Sequence, residues 1–419
     1  MEFKGYFRHA ELSEASYADF EGLTKTEEFK TALEAEGFSP TQAADFVTHW
    51  QVVDHQPNTL VSGFSATLFQ RLDGTGDPLP EFSLGIRGTE FDLFNPTDTD
   101  LRDVIVDAGL AVGLAPQKSD LEAYYTYLIT RGKLTATQTL RVTGHSLGGF
   151  LTQLFAADHP HVVGHAFTYN APGIGGAIAE VLGKFGILAE EVPASIIDNL
   201  YGQAGGEIAS GLGTMLGAAI PVFIEQPHVY SSSFGHGIGQ VVDSLAVYQA
   251  LGALDTTKTI DSLAELFSAA SSHPGQTLET LTNALGELLG TGNPITTSDV
   301  REDLYQRIHA IHQTLYVNPD APAPDLKPQY QGLHLVPLVD QTAAELVALA
   351  HAGIATRYAL VHGNPFAVTG LDYSVHNANH ALDLYDPATD LGMTETYLTD
   401  RAQYLALKDR LFIKDTTIE

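Results

Sequence analysis

The chain has 419 residues and a formal net charge of -30, from 51 Asp and Glu against 21 Lys and Arg. That field repels nucleic acid and anionic lipid surfaces, so nucleic acid is not expected as a partner. The absence of cysteine excludes disulfides, thiolate metal sites and a thiol nucleophile, and the length allows one large α/β domain plus a second unit.

The first residues, MEFKGYFRHAELSEASYADF, show no apolar core of a secretory signal. No stretch approaches the roughly 18 apolar residues of a membrane span. The expected location is therefore extracellular, reached by signal-peptide-independent secretion, or otherwise cytoplasmic. The acidic, cysteine-free composition suits the former, although calcium-binding nonapeptide repeats are missing and a longer parent chain is compatible with these ends.

Residues 1–50 read as helices. Phe20, Leu23, Phe29, Leu33 and Phe38 are spaced for one buried face, and Ser39-Pro40 opens a second helix. Runs at 50–53, 62–69 and 81–86 read as strands around the turn-rich LDGTGDPLPE. The third strand ends in Gly85-Ile86-Arg87-Gly88-Thr89, before a polar loop and a helix carrying Leu101, Val104, Ile105 and Ala108. Asp98, Asp100 and Asp103 lack the glycine and terminal glutamate of an EF-hand loop and read as a solvated acidic loop. A helix over 119–131 leads to the most informative stretch.

That stretch is TLRVTGHSLGGFLTQLF, residues 139–155. Leu140 and Val142 belong to a strand, Gly144 to Gly149 make a sharp turn, and Phe150, Leu151, Leu154 and Phe155 follow at helical spacing. Strand, turn and helix lift Ser146 clear of both elements, and flanking glycines avoid Cβ clashes. The helix N-terminus adds amides and a positive dipole end suited to an oxyanion. The plainer reading is a tight turn with a small residue in it.

IRGTE followed by VTGHSLGG resembles the lipase class 3 branch of the α/β-hydrolases, and the chain is similar to the lipase-like domains of secreted bacterial calcium-repeat proteins. The resemblance implies a mostly parallel central sheet flanked by helices. It also implies an oxyanion hole from Thr89 and the backbone N–H of Leu147. A strand over 162–169 ending at Asn170-Ala171-Pro172-Gly173 continues the pattern. The apolar segment 174–192 reads as a lid-like insertion or as a core packing helix.

A serine nucleophile needs a histidine base and a carboxylate to orient it, in the chain order nucleophile, acid, histidine. His145 adjoins the serine and cannot attack its proton, while His159, His161 and His165 read as structural. His228, His236 and His273 remain. His236 is chosen because Ser231-Ser232-Ser233-Phe234-Gly235-His236-Gly237 is a flexible loop before a helix, a segment that also resembles the histidine loop of calcium-dependent bacterial lipases. The family aspartate is missing. Glu207 occupies its place, with Asp198 the alternative and Glu225 third.

The strand rhythm stops near residue 255, which divides a hydrolase-like unit at 1–255 from a mainly helical region at 256–419. Helices are expected over 260–270, 277–289 and 299–315, the last with Ser298 as cap. A proline-rich segment at 318–329, a strand at 333–338 and a helix at 343–350 follow. His376 and His380 sit four residues apart without a third ligand, so neither metal nor cofactor is assigned. The sequence thus points to a serine carboxylic-ester hydrolase, a lipase acting on acylglycerols or medium to long acyl esters at a lipid–water interface. Alternatives are a peptidase or thioesterase using the same triad, or a non-catalytic interaction or processing module of a larger secreted protein.

Overall fold

The computed structural model describes residues 2–88, 110–184, 194–203, 213–225, 236–271, 276–296, 300–319, 321 and 325–411. Three helices come first: α1 (Glu2–Ala15), α2 (Thr26–Ala35) and α3 (Pro40–His49). Ser39 caps α3 by accepting from the Gln42 amide at 3.0 Å, with Pro40 at the first turn, as the Ser-Pro pair predicts. Phe20, Leu33 and Phe38 do share one cluster, although Phe20 precedes α2 rather than lying on it.

A seven-stranded sheet runs in sequence order, β1 (Trp50–Gln56), β2 (Ala66–Leu72), β3 (Pro78–Ile86), β4 (Leu140–His145), β5 (Val163–Tyr169), β6 (Ile197–Gly202) and β7 (Ala218–Val222). The first three strands are antiparallel, and β3 to β7 are parallel neighbours. Crossovers between β3 and β6 contain α4 (Leu110–Thr130), α5 (Leu147–Asp158) and α6 (Ala177–Lys184). Right-handed crossovers that always step in one direction place their helices on one face of a sheet. Leu121, Phe150, Leu154, Ile178 and Leu182 accordingly share a cluster with Leu84, Leu140, Val142 and Ala166. Ile174, Ile178 and Leu182 are buried there, so the described part of the expected lid-like insertion packs as core helix; residues 185–192 of that segment lie outside the described residues.

The opposite sheet face needs other cover. Alternate residues of the same strands point to it: Phe167 and Tyr169 belong to a second cluster with Phe3, Tyr6 and Ala10 of α1. Gly85 lets α1 come close, since a Cβ there would lie 3.0 Å from the Leu12 carbonyl. The Thr143 hydroxyl donates to the His9 carbonyl at 2.8 Å.

The remaining elements are α7 (Ile238–Leu254), α8 (Ile260–Ala270), α9 (Thr277–Leu288), α10 (Arg301–Leu315), β8 (His334–Pro337), α11 (Ala343–Ala352), α12 (Ile354–His362), β9 (Phe366–Thr369) and α13 (Glu395–Leu411). Strands β8 and β9 form an antiparallel pair. Helix α10 begins at Arg301, and the expected cap Ser298 lies outside the described residues. The second cluster runs without a break from α1 and α7 through Phe267, Leu281, Leu304, Leu346, Leu360 and Leu398. Residues on both sides of 255 contribute to that cluster. Among the described residues no helix is long and apolar enough to cross a membrane.

Arg301 ties the two regions together. Its guanidinium donates to Glu14 of α1 at 2.7 and 3.1 Å and to Asp243 of α7 at 2.8 Å. Replacing Arg301 by Met leaves the buried Glu14 carboxylate without that partner, which costs about 3 kcal/mol on the scale of broken buried ion pairs. Urea unfolding of Arg301→Met should show that loss; a change below about 0.5 kcal/mol, the range of ordinary surface substitutions, would contradict the lock.

Candidate active site

Ser146 sits between β4 and α5 with φ 55° and ψ -124°, a backbone region that costs of order 1–3 kcal/mol for a non-glycine residue. Neighbouring contacts hold it there. Its amide donates to the Tyr169 carbonyl at 2.9 Å, and its carbonyl accepts from Phe150 at 3.1 Å. A Cβ at Gly144 would meet Gly148 backbone atoms at 2.4 Å, and one at Gly148 would meet the Ile86 carbonyl at 2.2 Å. The glycines are thus required by backbone proximity on both sides of the serine.

The same crowding brings the Arg87-Gly88 turn against the first turn of α5, because the Gly88 nitrogen lies 2.8 Å from where a Gly148 Cβ would be. Leu147 is the first residue of α5, where backbone N–H groups have no partner within the helix. Thr89, the other expected oxyanion donor, lies outside the described residues.

His236 Nε2 lies 2.9 Å from Ser146 Oγ, within reach for proton transfer. Its position follows from α7, which begins at Ile238 with Gly237 as N-cap. Two side chains grip the His236 carbonyl: His145 Nε2 at 2.5 Å and Asn170 Nδ2 at 3.1 Å. A carbonyl can only accept, so His145 carries its proton on Nε2 and its Nδ1 accepts from the Tyr17 hydroxyl at 2.8 Å. Burial, followed by the nearby His236, pushes the His145 pKa down to about 3, which keeps that imidazole neutral. Asn170, at φ 45°, also accepts from the Gly202 amide at 2.8 Å and so joins the ends of β5 and β6 to His236.

The other candidates are dispersed. Glu207, His228 and His273 lie outside the described residues, as do Ser231 to Gly235, the acidic trio Asp98, Asp100 and Asp103, and the expected helix 101–108. Asp198 is near the start of β6, at the opposite end of the strand from the serine turn, and pairs with His165 Nε2 at 2.7 Å; the structure turns this alternative acid away from His236. Glu225 accepts from the Leu278 amide at 2.6 Å at the beginning of α9. His159 pairs with Glu122 at 2.8 Å. His376 bonds the Leu288 carbonyl and His380 bonds Asp383, so the two do not share a ligand. No group of three His, Asp or Glu among the described residues could hold a metal ion.

Sequence reading missed Tyr17 and Asn170. Asn170 carried a signal, a polar residue at the end of a strand beside the serine; Tyr17 had none, since only the docking of α1 brings it to His145.

A mostly parallel seven-stranded sheet, flanked by helices and bearing a strained serine at the end of a central strand, decides the fold. It is an α/β-hydrolase fold. Among solved structures the chain is similar to the Lip2 lipase from Yarrowia lipolytica, at 18% identity and a TM-score of 0.33, over 57% of this chain and 84% of that one. It is also similar to lipase II from Rhizopus niveus, at 16% identity and a TM-score of 0.31, over 50% and 73%. No protein-family model and no curated protein matches the chain.

Because His145 binds a proton in the unfolded chain near the ordinary histidine value but not in the native one, its contribution is present above about pH 6.5 and lost as pH falls. His145→Gln removes that linkage. Between pH 6 and 5 the wild type should lose up to about 1.4 kcal/mol relative to His145→Gln, read by urea unfolding of both proteins. Parallel pH profiles would show that His145 protonates freely in the folded state.

Proposed function

We propose that this α/β-hydrolase-fold protein is a serine carboxylic-ester hydrolase of lipase type that works through an acyl-enzyme on Ser146. The 2.9 Å contact between Ser146 Oγ and His236 Nε2 on a strained strand–helix turn supports this reading. His236 takes the serine proton as Oγ attacks the ester carbonyl, then returns it to the departing alcohol; water repeats the cycle to free the acid. Leu147 N–H, together with the Thr89 amide, would stabilise the oxyanion. Glu207, which follows the end of β6 in sequence, is the proposed acid.

Acylglycerols or medium to long acyl esters at a lipid–water interface are the proposed substrates, on the resemblance of IRGTE and VTGHSLGG to lipase class 3. Signal-peptide-independent secretion is the proposed route, from the acidic, cysteine-free composition.

A fluorophosphonate probe should label the wild type and leave Ser146→Ala unlabelled; label retained on the variant would remove Ser146 from the mechanism. Glu207→Gln should lower kcat by about four orders of magnitude with KM little changed, as for neutralised triad acids. Near-normal kcat in Glu207→Gln, beside collapse in Glu225→Gln, would reassign the acid.

A further inference from the structure

A cavity of about 80 Å³ lies between α1, α3, α10 and the β1–β2 edge. It offers room for several waters where one needs about 10–15 Å³. Arg71 pairs with Trp50 across the β1–β2 ladder, and Leu72 beside it faces Pro78 at the start of β3. Ser146 follows the other end of the parallel strands, so this cavity is remote from the serine.

Its walls run against the charge of the molecule. In a chain of net charge -30, Lys4 and Arg8 of α1 converge with Arg71 of β2 on one cavity. Arg71 is only 2% exposed. Its Nη1 reaches the His49 carbonyl at 3.3 Å and its guanidinium lies 5.2 Å from the Trp50 ring centroid. Its Nε and Nη2 have no hydrogen-bond partner among the described residues, and neither does His312 Nε2 on the facing wall. A buried guanidinium with two unsatisfied donors costs several kcal/mol unless something anionic meets it.

Two carboxylates also line the space. Asp45 is engaged by His49 Nδ1 at 3.4 Å. Glu11 accepts from Gln42 at 3.2 Å, and burial pushes its pKa well above the carboxylate range, favouring the uncharged acid. Glu81 also acts on Arg71 and Arg8 from outside the lining and is bound by Arg141 at 3.1 Å. Burial, followed by the neighbouring Arg8 and Arg71, lowers Lys4 to about 7, and burial, followed by Arg71, lowers Arg8 to about 9.

We propose that this cavity is a binding site for a phosphate-class oxyanion, held by Arg71, Arg8 and Lys4 with His312 Nε2 as a further donor. The two unsatisfied Arg71 donors, Nε and Nη2, form a fork that fits two oxygens of a phosphate group. The group is supplied either by free phosphate or by a phosphate ester.

Calorimetry and thermal unfolding of the full chain test this, with inorganic phosphate and glycerol phosphate against sodium chloride at equal ionic strength. The wild type should bind phosphate with one site and show a melting temperature that rises with its concentration. Arg71→Met should melt higher than the wild type without phosphate, having lost an unpaired buried charge, and should lose the phosphate response. Arg8→Gln, at a less buried position, should weaken binding at least tenfold and serves if Arg71→Met does not fold. A larger response to glycerol phosphate identifies an esterified ligand, and an equal one identifies free phosphate. No wild-type response beyond that to chloride, or an unchanged response in the variants, would overturn the site.

Discussion

Five parallel strands laid down in sequence order, each beside the last, place the intervening helices on one face and leave the other bare. A sheet cannot expose such a face to water, because Phe167, Tyr169, Leu200 and Val222 stand on it. Much of the remaining chain answers that constraint. Helix α1 lies across β3 to β5, α7 follows β7 onto the same side, and the helices after residue 255 extend the apolar cluster outward. Their sequence distance from the serine turn conceals how directly they support it.

Covering the face also assembles the site. The end of α1 delivers Tyr17 to His145, and the start of α7 delivers His236 to Ser146. Backbone holds backbone here: the serine turn is locked by glycine contacts of 2.2 to 2.4 Å from the missing Cβ positions, and His236 is gripped through its carbonyl by His145 and Asn170. A neutral His145 suits that task, since its Nε2–H donates while its Nδ1 accepts. Positioning through the main chain holds His236 with its Nε2 2.9 Å from Ser146 Oγ.

The electrostatics divide along the sheet. The serine end carries the neutral His145 imidazole, whereas the far end of α1 gathers Lys4 and Arg8 beside Arg71. Because both ends are built on the same helix, α1 contributes cover, a hydroxyl to His145 through the residue just beyond it, and two cations to the cavity. A helix with so many polar neighbours owes its place to packing at Ala10, Leu12 and Ala15, all fully buried.

The local signals were legible in the sequence wherever they act over a few residues. Strand, turn and helix around Ser146, the Ser39-Pro40 cap and the alternation in β4 and β5 depend on backbone sterics and side-chain periodicity, and they appear where those rules put them. Helix α12 and strand β9 carry no such local signal, because short elements of mixed composition take their form from the core they join. Nor could sequence distance reveal that residues on both sides of 255 share one core. Chain order and a loop before a helix point to His236. Its meeting with Ser146, and its support by Tyr17, His145 and Asn170, came from tertiary packing, because separations of 90 and 128 residues are closed only when apolar faces on distant segments are buried together.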